Sequence, residues 1–205
     1  MKKRKIFVSA VLAGVAIGFG GVAFLSLENK VLGALFFTVG LFTVCTFGFH
    51  LFTGKVCYLF EQDKAYAKTL PLIWLGNLVG TGIVAGLVRL SRIAPIAERA
   101  AAMCAVKTED NLLSLFVLGI LCNIFIYIAV EGFRSDTREI GKYLSLFFGV
   151  MIFILCGFEH CVADMFYFWV GGAWSLRAAL CVIVITLGNV VGGVLLPLLR
   201  AWLKK

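Results

Sequence analysis

The chain has 205 residues, of which 61% are hydrophobic and only 15% are charged. A water-soluble domain carries about 25% charged residues, so this composition excludes a soluble protein and predicts a single transmembrane domain spanning residues 1–205. The formal net charge of +8 does not indicate nucleic-acid binding. The charged residues fall in short clusters between long apolar runs, as they do in the loops of membrane proteins.

Six apolar runs are long enough to cross a bilayer, which takes a helix of about 20 residues. The first follows a basic cluster and is longer than the core of a signal peptide, so we interpret it as a retained helix. The second and fifth are too long for one simple span, which predicts that each is broken. A short interfacial helix could occupy 93–106. The six runs are 6–27, 31–60, 69–90, 112–133, 143–170 and 176–203.

Lysine and arginine in the predicted loops indicate how the chain crosses the membrane. Twelve of them, including Lys2 and Lys205, fall on the side of the chain ends, and six fall on the other side. Lys55 lies within the second run and counts for neither side. Because positive residues are enriched in cytoplasmic loops, we expect a multi-pass protein of the cytoplasmic membrane with both termini in the cytoplasm.

The two halves of the chain, about 6–90 and 112–203, share sequence features at corresponding positions. The segment 75–80, Leu-Gly-Asn-Leu-Val-Gly, recurs at 187–192 as Leu-Gly-Asn-Val-Val-Gly, and the two histidines, His50 and His160, have a similar separation. Each half holds three runs, and an odd number of spans places the halves in opposite orientations. This pattern predicts an all-α membrane fold of six helices in a 3+3 inverted repeat, as in many transporters. The alternative is a chance similarity of glycine-rich helices.

Polar residues interrupt the second and fifth runs: Thr53 and Lys55 in one, and Glu159, His160 and Asp164 in the other. Such groups cost several kcal/mol each in lipid and persist where they face protein or water. The breaks therefore predict a shared polar pathway with His160 at its centre, although a structural histidine is the alternative. Lys55 and Asp164 either pair with each other or reach water separately.

Several short motifs are shared with a known family of membrane proteins. They are Leu-Phe-Thr-Gly at 51–54, Gly-Ile-Leu-Cys-Asn at 119–123, Gly-Phe-Glu-His at 157–160 and the paired Leu-Gly-Asn motifs. In this combination the chain resembles the formate/nitrite transporter family over nearly its whole length. The resemblance implies an aquaporin-like protomer with its own pore in a homopentamer. It implies passage of small monovalent anions or their acids, such as formate, nitrite, hydrosulfide, acetate or lactate.

The resemblance also implies roles for individual residues. Thr53 would lie on a flexible loop facing the pore, and His160 would be the central pore histidine. Lys107 and Asn123 would belong to the outer vestibule, where the lysine attracts anions. The remaining implied positions are Leu51 and Phe52 at the cytoplasmic constriction, Phe37, Leu41 and Phe153 at the outer constriction, and the secondary polar residues Glu159, Asp164, Asn77 and Asn189.

Three positions depart from the family pattern, which commonly has Glu where His50 stands and Asn where Lys55 and Asp164 stand. The family's longer N-terminal helix is replaced by a basic cluster at 2–5. A lysine at position 55 would favour an anion more strongly than asparagine would. We therefore lean toward the hydrosulfide branch, with formate and nitrite open. Because a bare anion meets a large desolvation cost in a dry constriction, we expect passage coupled to protonation near His160.

Two other classes of membrane protein are alternatives to a transporter. A non-transporting membrane scaffold is one alternative, and a membrane haem protein with two axial histidines is another. The seven cysteines include no Cys-x-x-Cys pair, and no catalytic motif is present. We expect no enzyme activity, no cofactor and no metal site. The expected partners are small anions, protons and membrane lipid.

Overall fold

The structure, a computed structural model, describes residues 3–204, and these form ten helices and no strand. The all-helical fold class is therefore confirmed, while the predictions for Lys2 and Lys205 lie outside the described residues. The helices are α1 (Lys3–Ser26), α2 (Lys30–Phe47), α3 (Phe52–Val56), α4 (Lys64–Ala67), α5 (Leu70–Arg89), α6 (Ile96–Glu109), α7 (Leu112–Ser135), α8 (Glu139–Leu155), α9 (Cys161–Val170) and α10 (Leu176–Leu203).

Five helical segments in the described chain are long and apolar enough to cross a membrane: α1, α2, α4 with α5, α7 and α10. The fifth predicted run is divided into α8 and α9, and the second is divided into α2 and α3, so both predicted breaks are present. The predicted helix at 93–106 begins instead at Ile96. Pro95 stands directly before this helix. Proline is tolerated at a helix start but disfavours helical structure in the residue before it, which explains why the helix begins later than predicted.

Both breaks begin with a glycine in the left-handed conformation. Gly48 follows α2 with φ of 68°, and Gly157 follows α8 with φ of 72°. Glycine adopts this conformation without the steric cost of a side chain and is a common helix terminator. The chain then runs extended through Leu51 and His160, from which α3 and α9 start.

A buried asparagine closes the first break. Asn77 of α5 accepts the Phe52 N–H at 2.8 Å and donates to the carbonyl oxygens of Ala10 and His50 at 2.8 and 3.0 Å. These bonds satisfy backbone groups that the interrupted helix leaves open, which would otherwise be costly in an apolar interior. The first Leu-Gly-Asn motif thus joins α1, the break and α5.

The second motif repeats this arrangement at the other break. Asn189 of α10 accepts the Cys161 N–H at 2.9 Å and donates to the carbonyl oxygens of Gly119 and Glu159 at 2.8 and 2.9 Å. At both breaks the asparagine accepts the N–H of the first residue of the short helix. It then donates to one carbonyl oxygen of a neighbouring long helix and to one carbonyl oxygen of the break. Chance similarity of the motifs is therefore disfavoured, while the inversion of the halves across a membrane stays a prediction.

Glycines let the paired helices approach each other at backbone distance. A Cβ at Gly80 of α5 would lie 2.1 Å from the Val11 carbonyl oxygen of α1, and one at Gly192 of α10 would lie 2.1 Å from the Ile120 carbonyl oxygen of α7. Small residues commonly form such contacts between membrane helices. The tight pairs α1–α5 and α7–α10 hold the two breaks in place.

This packing predicts opposite effects for two glycine substitutions on α5. Gly80→Ala should destabilise the protomer by about 1–3 kcal/mol, because the new methyl group overlaps the α1 backbone. Gly86→Ala should be neutral or stabilise by up to about 1 kcal/mol, because nothing lies within 4 Å of its Cβ position. Equilibrium unfolding of the two variants in mixed micelles measures the difference, and equal stabilities would contradict the close approach.

Candidate functional site

A cavity of about 610 Å³ opens at the end of the molecule where α7 and α10 finish. These two helix ends are tied together by Arg200, which donates to the Tyr127 hydroxyl at 2.6 Å. We call this cavity the Lys55 vestibule and this end the chain-end side. The side chains that define it are Leu41, Cys45, Leu51, Lys55, Tyr58, Gln62, Tyr66 and Arg134.

A second cavity, of about 230 Å³, lies toward the opposite end of the molecule. Lys30 lines it just beyond the C-terminal end of α1, and Arg177 at the start of α10 donates to the Thr108 carbonyl oxygen on the same side. We call it the Lys107 vestibule. The side chains that define it are Lys30, Lys107, Phe153, Glu159, His160 and Asp164.

His160 and Thr53 meet between the two cavities. The Nε2 atom of His160 lies 2.8 Å from Thr53 Oγ1, and both residues are buried. His160 Nδ1 accepts the Ala163 N–H at 3.1 Å, so in the neutral imidazole the proton resides on Nε2 and is donated to Thr53. Both ring nitrogens are therefore engaged, which disfavours the alternative of an axial haem ligand.

Aromatic rings enclose this histidine. The Phe153 ring stacks on His160 with centroids 5.6 Å apart, and the Phe37 ring meets Phe153 edge-on at 6.1 Å. Leu51 lines the Lys55 vestibule on the other side of Thr53. One polar pair thus lies inside an apolar collar, so an ion here would lose most of its hydration.

The structure places two predicted constriction residues elsewhere. Leu41 lines the Lys55 vestibule instead of the outer side. Phe52 faces away from both vestibules into an apolar groove beside Trp74 and Leu187. Leu51 is the last extended residue before α3 and Phe52 is the first residue of this helix, so the two side chains leave the backbone in different directions.

Two further predictions need correction. Thr53 lies in the short helix α3 and not in a loop. Asn123 is fully buried and does not line the Lys107 vestibule; its Nδ2 donates to the carbonyl oxygens of Thr53 at 3.1 Å and Asn189 at 2.7 Å. Its position holds α3 against α10 and thereby positions the Thr53 hydroxyl.

Lys107 pairs with two carboxylates. Its ammonium group hydrogen-bonds Glu159 and lies 3.0 Å from Asp164 Oδ1, and all three residues are buried. The predicted pairing of Lys55 with Asp164 is therefore wrong, because Asp164 already has a partner. The expectation that Lys107 attracts anions is also weakened, since two negative groups oppose its charge. Lys107 of α6 lies 52 residues from Glu159, which stands in the break before α9, so no local pattern signalled this cluster.

The chain resembles known transporters and channels in both sequence and fold. The family model described as "Formate/nitrite transporter" matches residues 1–203. The nitrite transporter NirC of Salmonella typhimurium is 31% identical over 221 residues, covering 96% of this chain and 81% of the relative. A solved structure described as a pentameric formate channel with formate bound superposes with a TM-score of 0.82 at 26% identity, covering 98% of this chain and 97% of that one. A solved FNT family ion channel gives a TM-score of 0.85 at 27% identity, covering 100% and 91%.

Proposed function

Because this chain belongs to the formate/nitrite transporter family, we propose that it is a transmembrane channel for small monovalent weak-acid anions, with formate and nitrite as substrates. The observation that carries the proposal is the buried His160–Thr53 pair between two vestibules. The relatives named for nitrite and formate support these two substrates. A preference for hydrosulfide, which we inferred from Lys55, stays a prediction.

The proposed mechanism is that the substrate crosses the collar as its neutral acid. An anion entering the collar would exchange water for the Phe153 ring and for one free donor, the Thr53 hydroxyl, because the His160 Nε2–H is already donated to Thr53. Protonation removes most of this desolvation cost. The His160 imidazole can relay a proton if it takes one from water in the Lys107 vestibule, which it lines, and gives one to the anion, so that the ring is neutral before and after the step. Thr53, which accepts from His160, can donate a hydrogen bond from its own hydroxyl to the substrate and keeps its proton.

We further propose a homopentamer in the cytoplasmic membrane with both termini in the cytoplasm. The superposition on a pentameric channel supports the assembly. The described protomer also exposes many large apolar side chains, among them Leu87, Leu113 and Leu176. Such a surface is stable only against lipid or other subunits. The excess of basic residues on the chain-end side supports the orientation.

Flux through the purified protein in liposomes tests the proposed function. Formate, nitrite and hydrosulfide should each be compared with chloride at several external pH values. We expect formate and nitrite to pass faster at lower external pH. Chloride should be excluded, because the conjugate acid of chloride is too strong to form in water.

A matched pair of variants ties this flux to the site. Thr53→Val removes the hydroxyl beside His160 and should reduce flux strongly. Thr38→Val removes a buried hydroxyl that bonds to Ala34 within its own helix, and it should leave flux unchanged. Equal flux in the two variants, or no flux of any weak acid through the intact oligomer, would contradict the proposal and favour the scaffold alternative.

A further inference from the structure

The two vestibules differ in their charge. The Lys107 vestibule contains two lysines, Lys30 and Lys107, and two carboxylates, Glu159 and Asp164. The Lys55 vestibule contains Lys55 and Arg134, and no carboxylate of residues 3–204 lines it. Of the two vestibules, the Lys55 vestibule is therefore the larger, at about 610 Å³ against 230 Å³, and the only one whose lining cations are not matched by lining carboxylates.

Backbone contacts hold Lys55 at the base of this cavity. Its N–H donates to the Leu51 carbonyl oxygen at 2.8 Å, and its own carbonyl oxygen accepts from the Tyr66 hydroxyl at 2.7 Å. The five ion pairs found in the described part of the chain do not include Lys55. The backbone of Lys55 is therefore fixed one helical turn after Leu51, and its ammonium group has no carboxylate partner among the described residues.

Arg134 supplies the second charge from the end of α7. Its guanidinium group lies 4.9 Å from the centroid of the Tyr58 ring, a cation–π arrangement that positions the side chain. The nearest carboxylate on that helix, Glu131, accepts from the Tyr58 hydroxyl at 2.9 Å and pairs with Arg200 at 3.3 Å. Glu131 is thus engaged by Tyr58 and Arg200, and it does not itself line the vestibule.

We propose that Lys55 and Arg134 form a binding site for a small monovalent anion at the chain-end entrance. The inference rests on the proposed function in that the anion held there is the permeating one. Two fixed cations in a concave apolar wall raise the local anion concentration. The pathway then receives substrate as the anion at this side, whereas the Lys107 vestibule has its charge largely neutralised.

A reporter cysteine measures the charge of the vestibule independently of transport. Gln62 lies at the exposed mouth of the cavity, so Gln62→Cys can be introduced after Cys45→Ser and Cys156→Ser have removed the partly exposed native thiols. The reaction rate of an anionic methanethiosulfonate reagent is divided by that of a cationic one. Lys55→Gln is expected to lower this ratio about tenfold. Lys68→Gln, an exposed lysine outside the vestibule, should change it by less than about twofold.

Occupancy of the site is tested with the same reporter. Formate should slow the anionic reagent more than gluconate does at equal ionic strength, because only the small anion fits beside Lys55. An unchanged ratio in Lys55→Gln, or equal effects of formate and gluconate, would overturn the proposal. If Lys55→Gln fails to fold, Arg134→Gln at the end of α7 should lower the ratio in its place. A selective vestibule without liposome flux would refute the proposed function alone, and flux without charge selectivity would refute the anion site alone.

Discussion

Lys107→Met is expected to destabilise the folded protein by about 3–5 kcal/mol, the cost of removing one partner from a buried ion pair. The ammonium group of Lys107 holds Glu159 and Asp164, and all three residues are buried. Without it, two carboxylates face each other in an apolar site. Asp164 is the more vulnerable, because its Oδ2 already lacks a hydrogen-bond partner in the described structure.

Equilibrium unfolding in mixed micelles measures this loss, with Lys68→Met as the control at an exposed lysine. Restoring the charge balance provides a second check. Adding Glu159→Gln and Asp164→Asn to Lys107→Met should recover most of the stability, because neutral amides leave no uncompensated buried charge. If Lys107→Met matches the control, or if the triple variant remains as unstable as the single one, the cluster does not carry the stability assigned to it.

His160→Asn is expected to abolish the passage of formate and nitrite while the protein remains folded. His160 performs two tasks in the structure: Nδ1 accepts the Ala163 N–H at the start of α9, and Nε2 meets Thr53. Asparagine is a strong N-cap residue, so it preserves the first task. It has no titratable group and cannot exchange a proton with the substrate.

The measurement is flux together with internal pH, recorded in the same liposomes. His160→Phe serves as the comparison, because phenylalanine can neither exchange a proton nor accept the Ala163 N–H at the start of α9. Loss of this cap should make the phenylalanine variant about 1 kcal/mol less stable than the asparagine variant. A His160→Asn protein that still carries both formate and protons would refute the protonation mechanism. Loss of folding in both variants would instead assign His160 a purely structural role.

The sequence by itself determined the features that depend on neighbours along the chain. Long apolar runs require a membrane, because no soluble fold can cover them, and five helical segments of the described chain are long and apolar enough to cross one. The two breaks could also be predicted, since the second and fifth runs are too long for one span and contain polar residues; in the structure each break begins at a glycine, Gly48 or Gly157. The repeated Leu-Gly-Asn motif indicated an internal repeat, and Asn77 and Asn189 of the two motifs make matching hydrogen bonds in the structure.

Tertiary structure alone decided which side of each helix faces a cavity. A helix in a soluble protein reveals its buried face by an apolar stripe, but a membrane helix is apolar toward both lipid and protein. The placements of Leu41, Phe52 and Asn123 were therefore wrong, although Leu41 and Asn123 lie in correctly predicted helices. The partners of Lys107 escaped prediction for a related reason. Ion pairing depends on distance in space, and only the packing of α6 against α9 brings Lys107 to Asp164.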